Sequence, residues 1–152
     1  KNIQKLVINL QMKTIDPENV PLRDLIVRGT EFHGHLGPFL VLGIRMGLFA
    51  LRDLGSSGHK EIGATVKTGT IPPISCLVDG VQISTGCTMG KGNIETVDLG
   101  RAEATFSADG KSLTLKVKDG VMEEIKAGKY ASLEEFAWEI SKRRDEELFD
   151  LI

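Results

Sequence analysis

The chain has 152 residues, 41% of them apolar, and its 19 Lys and Arg against 21 Asp and Glu give a formal net charge of −2. That length and mix suit one globular domain over 1–152, large enough to bury roughly two thirds of its unfolded surface. The near-neutral charge gives no electrostatic basis for nucleic acid or an anionic membrane, and no apolar run approaches the ~20 residues of a membrane span.

The N-terminal stretch KNIQKLVINLQMK lacks a small-residue cleavage site after a long apolar core, so no signal peptide is expected. Two cysteines are too few for a disulfide scaffold, and a reducing cytoplasm is the expected compartment.

Residues 3–12 fit a strand or a helix equally well. Asp16-Pro17 is a turn signal, and Pro21 suits the first turn of a helix carrying Leu22, Leu25 and Ile26 on one face. That helix is expected to end near Gly29 or a few residues later. Pro38 then opens a second helix, apolar on most sides from Phe39 to Leu54, which predicts burial. Gly43 and Gly47 share one face of it, and each costs about 1 kcal/mol against alanine unless a neighbouring backbone packs closely there. Gly55-Ser56-Ser57-Gly58 ends the helix, and His59 reads as a solvated loop residue.

Alternation at Ala64, Val66 and Thr68 predicts a strand. Residues 76–85 fit a helical face, with Gly86 as its C-terminal cap. Strand-like runs follow at 94–99, 101–107 and 113–117, with a hairpin turn at Ala108-Asp109-Gly110-Lys111. A short helix is expected over 121–126. Ser132 with Glu135 makes a capping box for a final helix anchored by Phe136 and Ile140. The charge run 142–147 reads as a solvated helical face. The order helix, strand, helix, three strands predicts one sheet covered by helices, an α+β fold.

The chemistry-bearing residues concentrate in Phe32–Pro38, FHGHLGP, which holds two of the three histidines. His33 and His35 can share a metal only on an extended or looped backbone, which Gly34 and Gly37 permit. The alternative is a pair used for capping or hydrogen bonding. Cys87, between Gly86 and Thr88, is either a packed core thiol or the third ligand of a His2Cys site with an open fourth position, the catalytic zinc arrangement. Gly90-Lys91-Gly92-Asn93 is either an anion-binding nest or a tight turn into the next strand, and the turn is favoured. Cys76 reads as a core residue, with a fourth ligand or resolving thiol as alternatives. Asp79 is either a partner orienting an imidazole or a solvated carboxylate.

FHGHLGPFLVLGIRMG followed by CLVDGVQISTGCTMGKGN resembles the formylmethanofuran dehydrogenase E-subunit family over about residues 22–120. The resemblance implies an α-β-α-β-β-β core with a mixed sheet, similar to the glyceraldehyde-3-phosphate dehydrogenase catalytic domain. It also implies a homodimer and a bound divalent transition metal, often zinc, held here by His33, His35 and Cys87 with Cys76 nearby. Many members carry a cysteine where this chain has Gly37, and many carry a C-terminal cysteine-rich zinc ribbon that 1–152 does not contain.

These readings combine into an expectation of a cytoplasmic metal-binding domain with an open site. His35, Cys87 and Lys91 are its candidate catalytic residues, and Gly90, Lys91 and Gly92 bind a small anionic or pterin-like ligand. The expected activity is a metal-dependent reaction or a subunit role in a formylmethanofuran dehydrogenase-like oxidoreductase. The alternatives are an accessory or metal-delivery module for a molybdenum or tungsten enzyme, and a metal-free Cys87 nucleophile with a histidine base. The dimer expectation also rests on the helix at Pro38, whose apolar sides exceed what one sheet covers.

Overall fold

The computed structural model describes residues 12–152. The reading over 3–12 lies outside them, Met12 excepted. Helix α1 spans Leu22–His33 and α2 spans Pro38–Leu54. Strand β1 (Gly63–Val66) follows, then α3 (Cys76–Thr85), β2 (Ile94–Thr96), β3 (Glu103–Ala108) and β4 (Lys111–Val117). The chain closes with α4 (Asp119–Ala127), α5 (Leu133–Lys142), the short α6 (Asp145–Leu148) and β5 (Phe149–Leu151). The five strands form one mixed sheet in the order β2-β1-β3-β4-β5. β1 and β2 are parallel, and the remaining pairs are antiparallel. The expected α-β-α-β-β-β core is α2-β1-α3-β2-β3-β4.

Helix α2 is the centre of the core. All its residues are buried except Phe49, Arg52 and Asp53. It packs against α3, α5 and α1 and against β3 and β4. Its apolar sides are therefore used inside the chain, so they give no argument for a second copy. The two glycines act as expected. A Cβ on Gly43 would lie 2.1 Å from the Leu77 carbonyl oxygen, and one on Gly47 1.9 Å from Ser84 Oγ. On the facing helix, a Cβ on Gly80 would lie 2.1 Å from the Leu40 carbonyl oxygen. Gly43 therefore meets the start of α3 and Gly47 its end. The two helices run in the same direction at a separation only glycine allows.

The chain direction sets what lies at each end. α2 runs one way, β1 returns, and α3 runs the first way again. The starts of α2 and α3 therefore share one end of the molecule, at the C-terminal ends of the parallel strands β1 and β2. The end of α3 lies with the start of β1.

The first helix runs to His33, four residues past Gly29, before Gly34 stops it with φ 103°. Two local readings change. The charge run 142–147 is not one helical face, because α5 stops at Lys142 and Arg143 is extended. There Asp145 takes both Arg45 and Arg52, and Arg143 pairs with Glu124. Buried Arg45 also donates to the Ile140 and Ser141 carbonyls, fixing the end of α5 to the core helix. His59 is not a free surface residue: a Cβ on Gly86 would lie 2.4 Å from its Nδ1, so the ring covers Gly86. The fifth strand, Phe149–Leu151, pairs with Leu115–Val117 and adds an edge that the alternation did not signal. The Ser132 cap forms, its side chain accepting from the Glu135 N–H at 3.1 Å.

Candidate metal centre

His33 is the last residue of α1, and Gly34 turns the chain so that His35 follows on the loop into α2. Their rings lie 4.5 Å apart at 41°. Cys76 opens α3 beside them. One ligand atom each from His33, His35 and Cys76 lies within 4.8 Å of the others. Tetrahedral zinc with N and S ligands needs separations of roughly 3.5 Å, so a modest contraction closes the set around an ion. Among the described residues this is the one His, Cys or carboxylate cluster that could hold a metal ion.

The hydrogen bonds favour that use. His33 Nδ1 lies 2.6 Å from Asp79 Oδ2, one turn into α3. A carboxylate on one ring nitrogen fixes the tautomer and turns the other into a ligand. That other atom, His33 Nε2, is buried with no hydrogen-bond partner. An unpartnered buried nitrogen costs about 1–3 kcal/mol, and a metal ion would relieve that cost. Burial, and then the Asp79 charge, push the Cys76 thiol above its ordinary value. Three ligands leave a fourth direction open, as in catalytic rather than structural zinc sites.

Two cavities open from the cluster, and His33 and Cys76 line both. One, of about 360 Å³, has a mostly apolar lining that includes Met89, Val78 and Ile94, with Asp79, Gln82, Thr70 and Thr96 as its polar side chains. The other, of about 520 Å³, runs between the start of α2 and α4 and is mostly apolar. The site thus sits at the C-terminal ends of β1 and β2, the place where open sheets with parallel strands commonly bind ligands.

The other expected site residues lie elsewhere. Cys87 is fully buried beyond the far end of α3, outside the cluster. Its thiol donates to the Ile62 carbonyl at 3.5 Å and its N–H to Thr85 Oγ1 at 3.1 Å. Burial pushes that thiol up, partly offset by the Thr85 hydroxyl and the Lys91 charge. The thiol that joins the imidazoles is therefore Cys76 in place of Cys87. A ten-residue helix, about 15 Å long, separates the two. Lys91 does not face the cluster either. Its ammonium donates to the Gly86 carbonyl at 2.7 Å and to Thr88 Oγ1 at 2.9 Å, capping the end of α3. Gly90 and exposed Gly92 belong to that turn, Gly92 with φ 69°. Of the loop, Met89 reaches the smaller cavity.

The model of the FmdE family, described as molybdenum formylmethanofuran dehydrogenase operon, matches residues 32–151. The chain belongs to the FmdE family. The matched stretch contains His33, His35 and Cys76. A probable S-adenosyl-L-methionine-binding protein of Archaeoglobus fulgidus is 40% identical over 91 residues, 56% of this chain and 24% of that protein. The chain thus spans about a quarter of that relative. The crystal structure of a tungsten formylmethanofuran dehydrogenase FmdE-like protein from Syntrophus aciditrophicus superposes with a TM-score of 0.67 at 24% identity. It covers 93% of this chain and 76% of that one, which shows a shared fold.

The FmdE motif CLVDGVQISTGC holds both cysteines, one at each end of its helix. A signal for which of them lies beside the histidines was present in the element order. In an α-β-α unit the two helices start at the same end, so the thiol near a His loop at the start of α2 is the one at the start of α3.

Proposed function

We propose that this FmdE domain binds one divalent transition metal, zinc in the first instance, through His33, His35 and Cys76, and presents its open position to a small anionic or pterin-like ligand. The observation that carries this reading is His33, with one ring nitrogen on Asp79 and the other buried and unpartnered beside His35 and Cys76. When bound, such a metal supplies Lewis-acid chemistry at its open position. The chain's own residues do the rest. Asp79 holds the His33 tautomer, and Gln82 and Thr70 offer hydrogen bonds in the smaller cavity. Cys87 and Lys91 serve the stability of the far end of α3.

The second reading is an accessory or metal-delivery module for a molybdenum or tungsten enzyme. It is favoured by the exposure of His35, which leaves the ion within reach of a partner, and by the operon that describes the family. The reading places the domain in the cytoplasm, which suits two free thiols. A homodimer would cover exposed Phe32, Ile71 and Met89 near the site, and light scattering should then give twice the chain mass.

The test is metal content after reconstitution with zinc, with an anomalous-edge scan. One ion per chain is expected, together with a cobalt-substituted spectrum that responds to formate or phosphate. A closed four-coordinate spectrum indifferent to anions would favour the accessory role, and a protein that takes up no metal would end both readings.

A further inference from the structure

The larger cavity beside the cluster is not needed to hold an ion. Its 520 Å³ is within the range of sites for small organic molecules. His33, His35 and Cys76 form one wall, while Phe39, Ile74 and Ile125 contribute apolar surface. Lys126 is the one formally charged side chain among its lining residues, and it has no ion-pair partner among the described residues. The start of α2 opens on the same space, with Gly37 supplying no side-chain cap. Uncapped N–H groups, a lysine and a metal with a free position all favour negative charge. The walls favour hydrocarbon. A hydrated inorganic anion would use the first set and waste the second.

We propose that this cavity takes the apolar body of an organic carboxylate, an alkyl or aryl chain whose anionic head is drawn to the His33–His35–Cys76 cluster. The inference rests on the metal reading above and narrows its ligand class. The open position of a metal held by His33, His35 and Cys76 would take the head, and Phe39, Ile74 and Ile125 select for the body. Exposed Lys126 adds attraction that does not depend on body length. Discrimination then comes from buried apolar area, which rises with each methylene until the cavity is filled.

The experiment measures the dissociation constants of acetate, butyrate, hexanoate and octanoate on the cobalt-loaded full chain, by calorimetry and by the visible spectrum. Affinity should rise about threefold to fourfold per added methylene up to at least hexanoate. Leu133 lines the cavity but is 60% exposed, so Leu133→Asp should keep fold and cobalt while flattening the length dependence. Ile125→Ala should reduce the slope without adding charge. Lys126→Gln should weaken all four acids by a similar factor and leave the slope intact. A cobalt-loaded protein that binds the four acids equally would overturn the inference while leaving the metal site standing. A slope unchanged in both Leu133→Asp and Ile125→Ala would place the chains elsewhere and overturn it as well. A chain that takes no cobalt would overturn both.

Discussion

The two ends of α3 carry the same functional group in opposite circumstances. At its start, Cys76 is half-buried, stands beside two imidazoles and lines two cavities. At its far end, Cys87 is fully buried with its hydrogen bonds made inside the fold. Around the first, a histidine nitrogen is left without a partner. Around the second, Asn93 ties the loops together, donating to the His59 and Ile62 carbonyls and accepting from the Thr88 N–H. Lys91 closes the remaining carbonyl. One end is left unsatisfied in a way that suits a ligand, and the other is satisfied in a way that suits a scaffold. A thiol in a glycine-rich motif is therefore not in itself evidence of a ligand; what matters is whether its neighbours still lack partners.

The contrast depends on the two helices staying in contact, so the largest effect is expected there. Gly43→Ala drives a methyl into the Leu77 carbonyl, and overpacking of this kind should cost roughly 3 kcal/mol in denaturant unfolding. It should loosen both ends of α3 together, lowering metal affinity as well as stability.

Asp79→Asn acts at the first end alone. Losing the carboxylate on His33 Nδ1 should lower metal affinity by about 10–100-fold, with a small change in unfolding midpoint. Gly37→Cys sharpens the same end. Gly37 is extended, at φ −146°, and a Cβ there would lie 3.9 Å from His35 Nε2. A thiol at this position should join the cluster and raise zinc affinity about tenfold, read by competition with a chelator. It should also close the open position and silence the response to anions.

The second end is addressed by His59. Burial, and then the Lys91 charge, hold its imidazole below the usual 6.5. The unfolded chain therefore binds the proton more readily. Stability should rise with pH through the window below about 6.5 and be lost as pH falls. His59→Asn suits the positive φ of 54° and should flatten that slope between pH 5 and 7 in thermal unfolding, with metal affinity unchanged. Lys91→Ala should have the smallest effect, a loss of about 0.5 kcal/mol from uncapping the helix, again with metal binding intact.

Much of this was legible in the sequence. Gly86 and Ser132 mark helix ends because their caps are local, and Gly43 with Gly47 announces a close neighbour because nothing else offsets the cost of glycine in a helix. The His-x-His loop was equally visible. What local patterns do not carry is which distant segment meets that loop. Cys87 sits in the more conspicuous motif, yet only chain direction through α2, β1 and α3 shows that Cys76 is the thiol at the histidines' end. The pairs made by the 142–147 run were hidden for the same reason, since Arg45 and Arg52 approach Asp145 from a helix some hundred positions earlier.

The central claim, that the site belongs to the start of α3, is tested most directly by cobalt titration of Cys76→Ser and Cys87→Ser side by side. Cys76→Ser should lose the thiolate-to-cobalt charge-transfer band and at least about a hundredfold in affinity, while keeping its unfolding midpoint. Cys87→Ser should keep band and affinity and lose about 1–2 kcal/mol of stability to a buried hydroxyl in place of the thiol. The reverse pattern, with the band lost in Cys87→Ser and retained in Cys76→Ser, would contradict it.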